Sequence, residues 1–335
     1  MTAAPSTAGV RTSLRLNNDL TVAEFVDLCV TAEDLGFDQV WVSNDLYLRS
    51  AAVMLTAAAA ATSRVGLGVG IMNPYSMDPA EIAMMAATLQ EFSGGRFALG
   101  LGAGAAEFLA WAGLTQTRPL ARTRQALLTI RALVRGERDG GPDSLSYLRF
   151  TGHDVPIYLG AMSPRMLALT GELADGALPL LYPPEHYPVA AEQILAAARQ
   201  AGRDEQDIDL AACIWVSVDP DGDAARWAMA EKIAYYGASF APYLLERAGL
   251  SLEDFRPVQA ALATDGITAA TRLITPQMLR LGIAGTPDEV IERCRSLMTA
   301  GVRHLSFGPP LGPDLQAAVR TLGRTVLPAL TAAPR

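Results

Sequence analysis

Lysine is almost absent: Lys232 is the single one, and 26 of the 27 Lys and Arg residues are arginine. A barrel aldolase forms its Schiff base on a lysine of an inner strand. Lys232 instead sits in the helical run Ala224 to Tyr236, which excludes that chemistry. Histidine is as scarce. His153, His186 and His304 share no metal-ligand spacing, and neither His-Glu-x-x-His nor His-x-His occurs, which argues against a metal-dependent hydrolase and sets the expected metal ligands at none. The three cysteines, Cys29, Cys213 and Cys294, are odd in number and far apart, so they read as reduced, buried thiols of a cytoplasmic protein. No basic block interrupts a chain of net charge −8, which excludes nucleic acid and anionic membranes as expected partners. The alanine run Ala51 to Ala61 is too short to span a bilayer. Residues 1–10 lack both a basic n-region and an apolar h-region; they are expected to be a disordered lead-in, and no signal peptide.

What is present is apolar bulk in an alternating pattern. Half of the 335 residues are hydrophobic, enough for a large core in a chain somewhat longer than the roughly 250 residues of a bare (β/α)8 barrel. Eight candidate strands are Leu14–Leu16, Gln39–Val42, Val65–Gly70, Phe97–Gly102, Ile157–Gly160, Ala177–Leu181, Ile208–Val218 and Val302–Phe307. Runs with helical spacing, such as Phe25-Leu28-Cys29-Ala32-Leu35, lie between most of them. Eight such units predict an α/β fold, a single (β/α)8 barrel domain over 11–335. Thr21-Val22-Ala23-Glu24 and Thr286-Pro287-Asp288-Glu289 are capping boxes that set helix starts, and Asp78-Pro79-Ala80-Glu81 repeats the logic. The stretch 237–280 has helical pieces and no strand; it is expected to be a helical insertion after strand 7, placed to act as a lid. Residues 136–152 are expected to be a loop or short hairpin.

The run Ser93-Gly94-Gly95-Arg96-Phe97-Ala98-Leu99-Gly100-Leu101-Gly102-Ala103-Gly104 joins a turn, an apolar strand and a glycine-lined strand end. A dinucleotide fold would need Gly-x-Gly-x-x-Gly and an acidic residue about 20 positions on. Here the third glycine comes one position early and residues 108–136 hold no Asp or Glu, so that reading fails. Two further strand ends carry bare backbone: Gly68-Val69-Gly70-Ile71-Met72-Asn73-Pro74-Tyr75 and Pro156-Ile157-Tyr158-Leu159-Gly160-Ala161-Met162-Ser163-Pro164-Arg165-Met166. With Trp41-Val42-Ser43-Asn44-Asp45, Ala174-Asp175-Gly176-Ala177 and Gly308-Pro309-Pro310-Leu311-Gly312-Pro313, these resemble the bacterial luciferase-like family from about residue 14 to residue 330. Within it they are most similar to the methylene-tetrahydromethanopterin reductase branch, which uses the deazaflavin coenzyme F420.

The resemblance implies a cofactor set of Asn44, Gly70, Ile71, Met72, Asn73, Gly102, Gly104, Gly160, Ala161, Met162, Ser163, Arg165 and Tyr182. It also implies a cis peptide at Gly70-Ile71. Ser163 before Pro164 reads as an ordinary helix cap or, with the N–H groups of Ala161, Met162 and Ser163, as a phosphate site that Arg165 reaches. Asp45 stands where relatives carry a histidine after an acid; it is a candidate for proton transfer, for a water-mediated contact to the ring, or for a salt bridge with Arg49. Glu107 is a second candidate catalytic acid, or a first-turn acid that suits the helix dipole. Arg15-Leu16-Asn17-Asn18 stands where the archaeal reductases carry a glutamate, a departure that weakens any carry-over of their substrate.

The implied activity is hydride transfer between F420 and an electrophilic carbon, of iminium, enone or dehydroamino acid type, in a small substrate. An FMN-dependent monooxygenase and a non-catalytic flavin carrier are the alternatives. The small-residue helices around Ala51–Ala61 and Ala80–Leu89 predict a homodimer.

Overall fold

The computed structural model describes residues 9–181 and 183–331; of the expected lead-in, residues 1–8 lie outside these, as does Tyr182. The strands are β1 (Arg11–Leu16), β2 (Gln39–Val42), β3 (Gly66–Met72), β4 (Phe97–Leu101), β5 (Ile157–Leu159), β6 (Gly176–Ala177), β7 (Asp209–Val218), β8 (Ile283–Gly285) and β9 (His304–Leu311). Their hydrogen-bonded order is β6-β5-β4-β3-β2-β1-β9-β7-β8, with β6 also pairing β7. The fold is a (β/α)8 barrel carrying one additional short strand. Packing divides the chain into two compact units.

The first unit comprises Ser13–Pro179 and Ala190–Ala211. It holds α1 (Val22–Asp34), α2 (Ala51–Ala61), α3 (Pro79–Phe92), α4 (Ala106–Trp111), α5 (Pro119–Val134), α6 (Pro164–Leu173) and most of α7 (Tyr187–Gln200). The helix starts form where the sequence marks them. Thr21 and Glu24 close a capping box on α1, and Asp78 caps α3 through the N–H of Ala80 at 2.8 Å. Phe25, Leu28, Cys29 and Ala32 give α1 its buried face against strands whose residues Val40, Leu67 and Leu99 are equally buried. Each fully buried Leu or Phe contributes about 1.5–3 kcal/mol. Arg96 ties the end of α2 to the sheet: its guanidinium donates to the carbonyls of Ala59, Thr62 and Val65, a favourable place for a cation at a helix C-terminus. The 136–152 segment, expected to be a loop or short hairpin, contains the isolated antiparallel bridge Asp139↔Ser146.

The second unit comprises Leu180–Val189 and the chain from Ala212 on, with residues 9–12. Its helices are α8 (Gly222–Tyr236), α9 (Pro242–Arg247), α10 (Arg256–Thr264), α11 (Ile267–Thr271), α12 (Pro276–Leu279), α13 (Pro287–Thr299), α14 (Leu315–Thr321) and α15 (Leu327–Thr331). Helices and 3-10 turns occupy 237–280. They are anchored by an aromatic cluster in which Phe240 lies 5.9 Å from Trp215 and 5.3 Å from Phe255, ring centre to ring centre. The lone lysine joins it, with Lys232 Nζ 4.2 Å above the Tyr236 ring. Two expectations are corrected. The sixth strand is only Gly176–Ala177 with an isolated bridge Leu180↔Cys213, and β8 at Ile283–Gly285, unanticipated, pairs with the end of β7. All three cysteines are free and buried; burial pushes the Cys294 thiol up to about 12, despite the opposing charge of Arg293, so it is a packing group and no nucleophile.

Candidate active site

The C-terminal ends of β2, β3, β4 and β5 belong to the first unit and bring most of the expected site residues together. Gly70-Ile71 is a cis peptide, and the register between β3 and β4 shifts between Val69 and Met72. This bulge turns the Ile71 side chain onto the neighbouring strands. A Cβ on Gly102 would lie 2.4 Å from Ile71 Cδ1, and one on Gly160 would lie 3.0 Å from Ile71 Cγ2. The glycines at the ends of β4 and β5 therefore form a trough filled by Ile71. The bare backbone serves the bulge first, and Ile71 presents the apolar surface above it.

Asn73 follows directly. Its Oδ1 accepts from the N–H groups of Tyr75 and Ser76, at 3.1 and 2.9 Å, so this oxygen builds the turn after β3. Gly104, at φ +73, is close-packed on it: a Cβ there would be 3.3 Å from Asn73 Cβ. Gln116 closes the next loop by donating to the carbonyls of Ala103 and Gly104. Met72 is buried.

At the end of β5, Ala161 is buried, Met162 half-buried and Ser163 exposed. Ser163 caps α6, its Oγ accepting from Met166 N–H at 3.4 Å, and Pro164 takes the first helical position. Arg165 is exposed in that first turn. An N-terminus of this kind, flanked by a guanidinium, is suited to an anion.

The loop after β2, which carries Asn44 and Asp45, is held by a residue whose role the sequence did not reveal. Asn18 is fully buried. Its Nδ2 donates to the carbonyls of Asp45 and Arg49 at 3.0 and 2.8 Å, and its Oδ1 accepts from Ser43 Oγ at 2.8 Å. Arg49, one candidate partner of Asp45, sends its guanidinium to the Asp19 carbonyl. Further along, Tyr47 adopts φ +66, which non-glycine residues seldom do; its hydroxyl donates to the Trp111 carbonyl at 2.9 Å, linking this loop to α4. Glu107 lies exposed in the first turn of α4.

In the second unit, His186 is 5% exposed. Burial, reinforced by the Arg247 charge, lowers its pKa to about 4, so it stays neutral. Its position near the start of α7 was not singled out by any motif.

Comparison with known proteins agrees with this geometry. The luciferase-like monooxygenase family matches residues 3–304. The 5,10-methylenetetrahydromethanopterin reductase of Archaeoglobus fulgidus is 37% identical over 310 residues, covering 89% of this chain and 93% of the relative. The F420-dependent glucose-6-phosphate dehydrogenase of Nakamurella multipartita is 30% identical, covering 92% and 93%. The solved structure of the coenzyme F420-dependent tetrahydromethanopterin reductase from Methanopyrus kandleri superposes with a TM-score of 0.89 at 30% identity, over 96% of this chain and all of that one. The strand-end bulge, the glycine trough beneath it and the helix start beside it are thus features of a chain that belongs to the luciferase-like monooxygenase family.

Proposed function

We propose that this chain is an F420-dependent oxidoreductase that moves a hydride between the deazaflavin and an electrophilic carbon, of iminium, enone or dehydroamino acid type, in a small substrate. The observation that carries the reading is the Ile71 bulge seated on Gly102 and Gly160 next to the capped start of α6. The residues fit such a cofactor. Ile71 offers a firm apolar face to one side of a planar ring, and Ser163, Pro164 and Arg165 offer a helix start and a guanidinium to its phosphate. When bound, the deazaflavin supplies hydride donor or acceptor chemistry at its central ring.

The protein's part in such a transfer is distance, orientation and electrostatic support. Gly70, Met72, Asn73, Gly104, Ala161 and Met162 set the backbone around the ring, and Asn44 approaches from the β2 end. Asp45 and Glu107 are the carboxylates available to hold or deliver a proton at the substrate. The enzyme works in the cytoplasm as a homodimer through α2 and α3, whose Val53, Met84 and Phe92 side chains are more than half exposed. Among the described residues no helix is long and apolar enough to cross a membrane.

The test is turnover under anaerobic conditions. Purified protein with reduced F420 and a panel of cyclic imines, enones and dehydroamino acids is expected to oxidise the deazaflavin at a rate that removal of oxygen leaves unchanged. Turnover only with reduced FMN and oxygen would replace this reading with that of a monooxygenase.

A further inference from the structure

Among the described residues, the Trp41 indole of the first unit is a buried donor without an acceptor. Trp41 is 1% exposed, and its indole Nε1 has no hydrogen-bond partner. Its position on the sheet is well defined. Trp41 pairs in register with Gly68 of β3, and its ring occupies the space a Gly68 side chain would take: a Cβ there would be 2.2 Å from Trp41 Cε3. The ring reaches the Tyr158 ring of β5, 5.0 Å away at 67°. Strands β3 and β4 lie between β2 and β5, so these rings can meet only on the concave face of the sheet. Because the six-membered edge lies over β3, the N–H edge is turned away from β3.

Arg15 of β1 is the register partner of Trp41 on the other side of β2. Neighbouring strands lie about 4.8 Å apart and register partners share a face, so Arg15 projects from the same concave face as the indole. Ser13, two residues earlier on that face, is fully buried, whereas Arg15 is half-buried and thus nearer the strand ends where the site residues gather. Both side chains are donors only, one a charged planar fork and the other a single N–H. Tyr158, whose ring meets the indole, donates its hydroxyl to Asp209 Oδ2 at 2.7 Å.

We infer that Arg15 and Trp41 together bind a carboxylate of the substrate, one oxygen on the guanidinium and the other on the indole N–H. A neutral carbonyl satisfies the indole alone. A planar two-oxygen anion matches both donors. The inference rests on the proposed oxidoreductase and narrows its acceptors to those that carry a carboxylate.

The experiment measures binding of benzoate, its neutral isostere benzamide, and phenylphosphonate by calorimetry, on the protein alone and with F420 present. Benzoate is expected to bind about tenfold or more tightly than either of the others. Arg15→Gln should erase that preference, Trp41→Phe should reduce it severalfold, and both should leave F420 affinity within about twofold of the parent. Equal binding of benzoate and benzamide by the parent protein would overturn the inference, as would tighter binding of phenylphosphonate or a preference that survives Arg15→Gln. A parallel loss of F420 affinity would overturn it too, since the pair would then hold the cofactor. If Arg15→Gln does not fold, Trp41→Phe decides. Failure of F420 to bind while the benzoate preference persists on the protein alone would count against the proposed function and leave this pair standing.

Discussion

Ile71 fills the space that a side chain on Gly102 would need, its Cδ1 standing 2.4 Å from where that Cβ would lie. Two residues earlier, inside β4, the constraint changes in kind: a Cβ on Gly100 would be 2.2 Å from the Val69 carbonyl oxygen. A side-chain tip can rotate away; a carbonyl in a sheet cannot. Gly102→Ala is therefore expected to change stability by less than about 1 kcal/mol while displacing Ile71, weakening F420 binding about tenfold. Gly100→Ala should cost about 1–3 kcal/mol through overpacking. Urea unfolding and a deazaflavin titration on the same two variants separate the effects, and equal loss of stability in both would contradict the assignment.

Asn18 makes a sharper prediction about the loop that carries Asp45. Asn18→Ala leaves the carbonyls of Asp45 and Arg49 and the hydroxyl of Ser43 without their partner, at a cost of about 2–3 kcal/mol. Amide exchange should accelerate in residues 43–49 while α1 stays protected. Uniform acceleration across α1 and this loop would show that Asn18 supports the whole unit rather than the loop.

Two groups give stability a shared dependence on acid. Burial works to raise the Glu33 pKa, but the N–H groups of Val65, Arg64 and Ser63, at 2.8, 2.6 and 3.0 Å, pull it down from 4.5 to about 2. A carboxyl depressed in the folded state stabilises above its unfolded pKa, so this contribution, about 2–3 kcal/mol, is lost as pH falls from 4.5 toward 2. His186, depressed from 6.5 to about 4 first by burial and then by Arg247, adds a loss over that interval. Unfolding free energy should thus decline continuously on acidification below about pH 6.5. Glu33→Gln should flatten the lower limb alone. A stability that is level between pH 6.5 and 4 would contradict the buried, neutral His186.

The assembly proposal is tested at α3, where Met84 is 52% exposed and Phe92 55%. These residues, with Thr88 between them, fall four apart on one helix face. Met84→Glu is expected to shift a sedimenting dimer to monomer at micromolar concentration without loss of helicity, because a charge at the centre of an isologous contact meets its own copy. A parent protein that sediments as monomer removes the proposal outright.

Much of this was legible in the residues because the signals are local. Thr21-x-x-Glu24 and Thr286-x-x-Glu289 mark helix starts with their own side chains, and Gly70-Ile71, cis in the structure, belongs to a contiguous motif. What the sequence concealed is contact across strands. Glycines at 100, 102 and 160 announce close approach, but only the register reveals that Ile71 is what approaches Gly102 and Gly160. Asn18 looks like an ordinary turn residue until the β2 loop folds over it, and no local pattern marks the hydrogen bond from the Arg49 guanidinium to the Asp19 carbonyl. The strand Ile283–Gly285 is three residues long, too short to show alternation.

The central claim is that the Ile71 bulge and the α6 start form a deazaflavin site, and the most direct measurement is a fluorescence titration of the purified protein with F420 and, separately, FMN. Saturable F420 binding at least about tenfold tighter than FMN is expected, weakened by Gly160→Val, whose branches would collide with Ile71, at a trough where even a Cβ comes within 3.0 Å. Tight FMN binding with no measurable affinity for F420, or F420 binding indifferent to Gly160→Val in a folded variant, would contradict it.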